Sequence, residues 1–463
     1  MNRIATVITF LLLALPLAPC ASAAMTLYSG EMELVAVSGG GCTEKDKPGS
    51  RLPLDLTLEQ GNSSSGQPLT GFFSGPDMQT GRFSGNDLGQ LQVVYPDKPD
   101  RSQGDTLALS ATLRGLDGEL REKTQTDPAG CYFEKAVLRL KQVATGSKAE
   151  SEYVRQGNLF SAEAYFMSGQ SLLQADKPDE AIQELTKSLN LRNVVNPNDS
   201  DRAIPAVYIA IAHIMAGREA EALAIMRGLL GDKSETGDAI LKQHLAVSDN
   251  LCSAEQYLES DAGRKASLRL LDIVTREFGS LNGVAVPLAA CYNGIAKEYK
   301  DQEDLESAIE FFQKAVKLNP GNPDSITGVV MSFVDAETPA EGRRYLNEHA
   351  GIFTKSAGKG SYDILLSYLY ASEAQQDENN GDLSRAEELS REALKSRPGE
   401  RTLIIALTRV LGKEGKSAEA RKLLEDGMKG CSDQTCRQEY ADEVTRQDMI
   451  ERMVKRLETQ SGM

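Results

Sequence analysis

The stretch Pro287–Pro323, PLAACYNGIAKEYKDQEDLESAIEFFQKAVKLNPGNP, predicts two helices joined by a tight turn. On the first helix, apolar residues recur at i, i+3, i+4 and i+7: Tyr292, Ile295, Ala296 and Tyr299. The matching stripe on the second helix consists of Ala308, Phe312 and Ala315. Ala296 and Ala308 are small enough for the two backbones to approach closely, and Pro320 ends the second helix. One such hairpin cannot bury its apolar face alone, so neighbouring hairpins must stack on it.

The hairpin pattern recurs on both sides of this stretch. Small or nearly small residues twelve positions apart form seven pairs: Gly169/Ala181, Ala210/Ala222, Ala254/Ala266, Ala296/Ala308, Val330/Gly342, Ala374/Ala386 and Thr408/Ala420. Successive second members are separated by 41, 44, 42, 34, 44 and 34 residues. The third and fifth units carry the fewest further matching residues. The longer steps predict extended helices or loops within a helical array.

Residues 160–430 resemble an array of tetratricopeptide repeats, since 34 residues is the period of that family. The resemblance implies a right-handed α-solenoid over 153–430 with about seven hairpins, whose first helices line a concave groove for peptides or extended segments. A further helix over 436–460 is expected to cap the array with a short apolar stripe: Ile450, Met453, Val454 and Leu457.

Residues 24–146 predict an antiparallel β domain, a small barrel or sandwich of seven or eight strands. Apolar and polar residues alternate through Leu52–Leu58, Leu107–Leu113 and Ala136–Leu140, as in strands with one buried face. Turn signals recur about every eight to twelve residues. A short polar link, Ser147–Glu152, is expected before the helices begin. The predicted fold class is therefore α+β, with a β domain followed by the solenoid.

The N-terminus has the features of a bacterial secretory signal. Arg3 precedes the apolar run Ile4–Leu17, and small residues at 21–23 provide a cleavage site. Residues 1–23 are the predicted signal peptide, so the mature chain is expected to begin at Ala24 in the periplasm or outside the cell.

Cys20 offers the alternative of a lipid anchor. The sequence around it loosely resembles a lipoprotein signal, but rigid Pro19 stands where a small flexible residue is usual. No later stretch is long and apolar enough to predict a transmembrane helix. The chain has 67 acidic and 51 basic residues, a net charge of −16. This balance argues against partners such as nucleic acid or an anionic membrane surface.

The remaining cysteines predict disulfides, because an even number in an exported chain favours pairing. The pairs expected are Cys42–Cys131, Cys252–Cys291 and Cys431–Cys436. The first would tie the ends of the β domain together, the second would join first helices of adjacent hairpins, and the third is favoured by its short separation. Six cysteines permit 15 pairings, and buried free thiols are the alternative.

A catalytic function has little support in the sequence. The three histidines, His213, His244 and His349, lie in separate segments without metal-ligand spacing. No nucleophile elbow, phosphate loop or dinucleotide fingerprint appears. We therefore predict a protein that is not an enzyme and needs no cofactor or metal.

Five residues are candidates for peptide binding: Asn293, Lys297, Lys300, Arg409 and Lys413. The first three share one helix face at i, i+4 and i+7, and the last two lie at i and i+4. Some members of the family clamp a terminal carboxylate with such residues, which here would favour an acidic or carboxylate-ended peptide. Ordinary solvated helix charges are the alternative.

The predicted function is a non-catalytic periplasmic scaffold or adaptor that binds protein or peptide partners in the groove of the array. The alternative is an accessory subunit of machinery that assembles envelope polysaccharide or surface structures. An unrecognised hydrolase is a third possibility. The β domain is interpreted as a cap or docking element, since no aromatic cluster indicates a sugar-binding platform.

Overall fold

The computed structural model describes residues 25–38, 47–59, 68–75, 78–96, 105–113, 115–121, 132–196, 202–231, 238–281 and 283–461. The predicted signal peptide, Cys20 and the Cys42–Cys131 pair lie outside these residues. One compact unit comprises Met1–Ile225 and Tyr257–Ser267, and the other Met226–Gln256 and Leu268–Met463. This division does not follow the expected domain limits at 24–146 and 153–430, so those limits stay a prediction.

Eight antiparallel strands form a closed barrel at the start of the chain. They are β1 (Met25–Ser38), β2 (Arg51–Glu59), β3 (Leu69–Gly75), β4 (Met78–Gly85), β5 (Leu91–Val94), β6 (Thr106–Thr112), β7 (Gly115–Arg121) and β8 (Tyr132–Thr145). Each strand pairs with the next, and β1 pairs with β8 to close the ring. The predicted number of strands and the closed sheet are confirmed.

Side chains fill the inside of the barrel, as expected for eight strands. Alternate residues of β2, Leu54, Leu56 and Leu58, are buried there with Phe73 and Phe83 from β3 and β4. The alternation noted in the sequence therefore identifies the inward face correctly for most of each strand. A packed interior leaves the outer wall as the surface through which the barrel contacts other elements.

The expected alternation fails at the end of β6. Ala111 and Leu113 were expected to face the core, but both are exposed, and Leu113 is fully so. Because Thr112 is the last residue of β6 that pairs with β7, Leu113 follows the strand and lies in a turn. A turn residue has no inward-facing position, so the period-two pattern does not apply to it.

The prediction of a polar link at Ser147–Glu152 is wrong. Helix α1 (Ser147–Gln174) begins two residues after β8 ends, and this segment forms its first turns. The first half of α1 packs on the outer wall of the barrel, where the ring of Phe72 contacts those of Tyr153 and Phe160. The polar residues of this segment are therefore the exposed side of a docked helix.

Fifteen further helices follow α1 among the described residues. They are α2 (Pro178–Val195), α3 (Ala203–Met215), α4 (Glu219–Leu230), α5 (Asp238–Tyr257), α6 (Asp261–Phe278), α7 (Ala285–Asp301), α8 (Leu305–Leu318), α9 (Pro323–Asp335), α10 (Pro339–Glu348), α11 (Ala350–Ala357), α12 (Lys359–Asn380), α13 (Leu383–Ser396), α14 (Arg401–Lys413), α15 (Ser417–Lys429) and α16 (Gln434–Ser461). Seven hairpins result: α1–α2, α3–α4, α5–α6, α7–α8, α9–α10, α12–α13 and α14–α15. The fold class, a β barrel followed by repeated helical hairpins, is confirmed.

All fourteen residues of the seven predicted pairs are buried, including those of the third and fifth units. The first pair shows why a small residue is needed. A Cβ added to Gly169 would lie 2.5 Å from Cγ of Leu185 in the facing helix. Since real Cβ atoms do not approach so closely, a larger residue would force the two helices apart.

The turn inside each hairpin also repeats. In six of the seven units, the residue seven positions after the small residue of the first helix has a positive φ: Asp176, Gly217, Glu303, Glu337, Gly381 and Gly415. The next amide then donates to a carbonyl five residues earlier, as Asp304 N does to Tyr299 O at 2.9 Å. This is the Schellman pattern that ends a helix and turns the chain.

Two helices lie outside the hairpin scheme. Helix α11 stands between the fifth and sixth hairpins and accounts for one of the 44-residue steps. Helix α16 packs on α14 and α15 through Tyr440, which is buried. Met453 of its predicted apolar stripe is exposed, and the side chains of Ile450, Val454 and Leu457 lie outside the described residues. None of the described helices has the length and apolar character of a membrane span.

Candidate functional site

The five predicted peptide-binding residues lie on two first helices, Asn293, Lys297 and Lys300 on α7 and Arg409 and Lys413 on α14. The position of each side chain is set by its distance along the helix from the small residue of its hairpin. Lys297 comes directly after the small residue Ala296, and Arg409 directly after Thr408, so these two side chains occupy equivalent positions. We call the solvent-facing side of the first helices at these positions the inner row.

Asn293 is a structural residue. Its side chain is buried, and Nδ2 donates a hydrogen bond to Oγ of Ser325 on α9 at 2.8 Å. Lys300 reaches the same neighbouring helix, where its Nζ lies 2.9 Å from Oδ2 of Asp335. Both side chains therefore connect the fourth hairpin to the fifth and are occupied by contacts within the array.

Lys297 differs from these two neighbours. It is exposed, and within the described part of the chain its ammonium group makes no ion pair. Of the three candidates on α7, Lys297 is thus the cation most accessible to an outside group.

Arg409 and Lys413 converge on one buried carboxylate. Arg409 Nε and Nη2 each lie 3.0 Å from an oxygen of Glu378 on α12, and Lys413 Nζ lies 2.8 Å from Oε1. Arg409 also donates to Oε1 of Gln375 at 2.5 Å. The two cations therefore connect the seventh hairpin to the sixth, and one of their two positive charges is balanced by Glu378.

The pKa of Glu378 reflects two opposing effects. Burial of the carboxyl group raises the pKa, but hydrogen bonds from Lys413 and Arg409 outweigh it, and the net pKa lies below the usual value. The carboxylate is therefore ionised at neutral pH and holds both cations. An anionic peptide would therefore compete with this internal anion for the same two cations.

The inner row also exposes three apolar side chains, on α7 and α12. Ile364 and Tyr368 of α12 are 52% and 45% exposed, one turn apart on the same face. Val286 of α7 is also exposed. Val286 and Ile364 each lie ten residues before the small residue of their helix, so they occupy equivalent positions on two first helices. Exposed apolar groups at repeated positions are typical of a surface that contacts other proteins.

The histidines do not form a site. His244 is buried, with Nε2 2.8 Å from the carbonyl oxygen of Leu230, and His349 stacks on Tyr345 one turn earlier on α10. Burial lowers the pKa of His213, with a smaller contribution from Arg218. The described residues contain no group of three or more His, Cys, Asp or Glu side chains placed to hold a metal ion.

Two of the three expected disulfides fall on described residues, and both are formed. Cys252 of α5 bonds to Cys291 of α7, with Cα atoms 5.4 Å apart. Cys431, which lies between α15 and α16, bonds to Cys436 in the first turn of α16. The first bond joins the first helices of adjacent hairpins, as the sequence predicted.

Sequence reasoning missed the residues that define the inner row most clearly. Glu378 and Asp335, which neutralise the candidate cations, were not identified, nor were Ile364 and Tyr368. The register supplied a usable signal, since counting from Ala374 places Tyr368 and Glu378 on the same helix face as Lys297 on α7. Extending that count to every hairpin would have found them.

Comparison with known proteins identifies the repeat. Residues 289–322 and 162–194 each match a model of the tetratricopeptide repeat. These segments are α7–α8 and α1–α2, the fourth and first hairpins. Among curated proteins, no sequence matches this chain.

Several solved structures are similar to part of this chain. One is MamA of AMB-1, 17% identical, covering 41% of this chain and 94% of its own at a TM-score of 0.25. Another is YrrB, described as a TPR protein with an unusual peptide-binding site, 15% identical over 55% and 97% at 0.26. A third is pilF of Pseudomonas aeruginosa, 12% identical over 62% and 99% at 0.23. Similarity at these values supports no statement about function.

Proposed function

We propose that this chain, which carries tetratricopeptide repeats, is a non-catalytic scaffold that is exported to the periplasm and binds partner proteins through the inner row. Helical repeats of this kind stack into extended surfaces that bind other proteins. The observation that carries the proposal is the pair of exposed apolar residues Ile364 and Tyr368. They lie on the same first helix as Glu378, which already pairs with Arg409 and Lys413.

The geometry favours apolar contacts over a carboxylate clamp. Lys300, Arg409 and Lys413 each have an internal acidic partner, so only Lys297 of the proposed cations is available to an acidic peptide without breaking an ion pair. A partner segment would gain mainly by covering the apolar residues of the row. Binding should then depend only weakly on salt, since one exposed ion pair contributes about 1 kcal/mol or less.

Export rests on the N-terminal sequence. The apolar run Ile4–Leu17 and the small residues before Ala24 support cleavage by a signal peptidase. Mass spectrometry of the chain purified from its own cells should find Ala24 as the first residue. A chain that retains Met1, or one that begins at a lipid-modified Cys20, would contradict this part of the proposal.

The inner row is tested by site-specific cross-linking in the cell. A photoreactive phenylalanine analogue at position 368 should cross-link a partner protein. The same group at position 154 of α1 serves as a control, since Val154 is an apolar residue of similar exposure, 57%. Adducts that appear at both positions equally, or at neither, would overturn the proposal. The identity of the captured protein would decide between a general scaffold and a subunit of envelope assembly machinery.

A further inference from the structure

An open groove lies between the second helices α8 and α10, with α9 and α11 also contributing to its lining. Its volume is about 900 Å³. The floor is apolar, with Val316 of α8, Phe333 of α9, Tyr345 of α10 and Ile352 of α11. Ile352 is 43% exposed although it lines the groove. Helix α11, which lies outside the hairpin scheme, thus supplies an exposed apolar side chain to the groove.

The rim of the groove carries charges without internal partners. Lys317, Glu341, Arg344 and Glu348 all line it, and within the part of the chain that the structure describes none of them forms an ion pair. Glu341, Arg344 and Glu348 lie at i, i+3 and i+7, so α10 presents a line of acid, base and acid along one face.

Neighbouring junctions between second helices are different. Lys314 of α8 lies 3.0 Å from Asp272 of α6, and Arg391 of α13 lies 2.6 Å from Glu419 of α15. Ion pairs within the protein tie those helices together. The junction of α8 and α10 has an apolar floor and unpaired rim charges instead, the arrangement expected where the opposite charges come from another molecule.

We propose that this groove binds a basic amphipathic helix of a partner protein. Apolar side chains of that helix cover Phe333 and Ile352, and its charges follow the order base, acid, base to match Glu341, Arg344 and Glu348. A helix lying in an apolar groove between two helices is a recurring mode of recognition. The net charge of −16 favours a basic partner, because it attracts cationic segments at long range.

The probe is a synthetic helix of about 18 residues, long enough to be helical in water when rich in alanine. It carries Leu at i, i+3, i+4 and i+7 and, on the flank of that stripe, Lys, Glu and Lys. A second peptide has these three charges inverted. Fluorescence anisotropy of each labelled peptide with the full chain measures the affinity at low salt.

The first peptide should bind in a saturable way and more tightly than the inverted one. Arg344→Glu should weaken its binding about fivefold and strengthen that of the inverted peptide, because one ion pair is replaced by repulsion. Ile352→Asp should weaken both about tenfold or more through loss of apolar contact. Since Arg344 and Ile352 are both solvent-accessible, circular dichroism should show an unchanged fold for each variant.

Ile364→Asp is the matched control, since Ile364 is similarly exposed but lies on the inner row. It should leave peptide affinity unchanged, which separates this groove from the surface of the proposed function. No saturable binding, or binding unaffected by Ile352→Asp, would overturn the proposal. A dimer in sedimentation that Ile352→Asp dissociates would also overturn it, because the occupant would then be a second copy of this chain.

Discussion

Removing a cation that pairs with Glu378 should destabilise the protein more than removing the charge of Glu378 itself. Only 2% of the Glu378 side chain is exposed, against 32% for Arg409 and 48% for Lys413. Arg409→Met leaves a buried carboxylate with Lys413 as the remaining cation that pairs with it directly. Glu378→Gln leaves two cations that can turn toward water, together with an amide that still accepts a hydrogen bond.

The magnitudes follow from this difference in exposure. Removing one partner of a buried ion pair costs about 3 kcal/mol, so Arg409→Met should lower the free energy of unfolding by roughly that amount. Glu378→Gln should cost about 1 kcal/mol, the value of a weakened hydrogen bond. The double variant should cost less than Arg409→Met alone, since no buried charge remains without its partners.

Urea unfolding of the full chain at pH 7, followed by far-UV circular dichroism, measures these differences. The effect of Arg409→Met should shrink at acid pH. Glu378 has a lowered pKa in the native protein, so it contributes stability above its ordinary pKa near 4.5 that is lost as the pH falls through the native value. A cost for Glu378→Gln equal to or larger than that for Arg409→Met would refute this reasoning.

Three further predictions concern turns, disulfides and pH. In thermal unfolding, Glu303→Gly should stabilise the protein by about 0.5–1 kcal/mol, because glycine adopts the positive φ without strain, whereas Gly415→Ala should destabilise it by a similar amount. A change of stability in the same direction for both variants would contradict the turn analysis. Cys291→Ala should cost roughly 4 kcal/mol and Cys436→Ala roughly 2, since the bridges span 39 and 5 residues; calorimetry of each variant beside reduced wild type checks the order. A hydrogen bond from the Lys416 ammonium lowers the pKa of Glu387 to about 2, so the stabilising contribution of Glu387 is present above about pH 4.5 and is lost between there and pH 2. The difference in Tm between wild type and Glu387→Gln should therefore disappear over that range, and a constant difference would contradict this prediction.

Several features of the fold could be predicted from the sequence because they depend on local spacing. Helices that pack as a hairpin need small residues where their backbones approach, so Ala296 and Ala308, twelve apart, predict the same register in all seven units. Alternation of leucines through β2 likewise predicts an inward face, since side chains of a strand alternate between its two sides. The pairing of Cys252 with Cys291 followed from that helical register.

The inner row was only half predictable. Lys300 and Arg409 could be placed on an accessible helix face by counting residues, but the acids that neutralise them could not be assigned to them. Asp335 lies 35 residues after Lys300, and Glu378 lies 31 residues before Arg409. Whether a charge is free for a partner therefore depends on the neighbouring hairpin, and a single hairpin does not contain that information.

What the sequence determined by itself is the repeat, because each hairpin is specified by small residues only twelve positions apart in the chain. The tertiary structure alone decided how α1 is used. Gln156 of that helix is buried against the barrel, accepting a hydrogen bond from Thr57 Oγ1 at 2.6 Å and donating one to Ser74 Oγ at 2.9 Å. These partners are 99 and 82 residues away along the chain. From its polar residues, the segment Ser147–Glu152 was predicted to be a link, because polarity shows only which side chains face water. The barrel wall that holds the helix is assembled from strands distant in sequence.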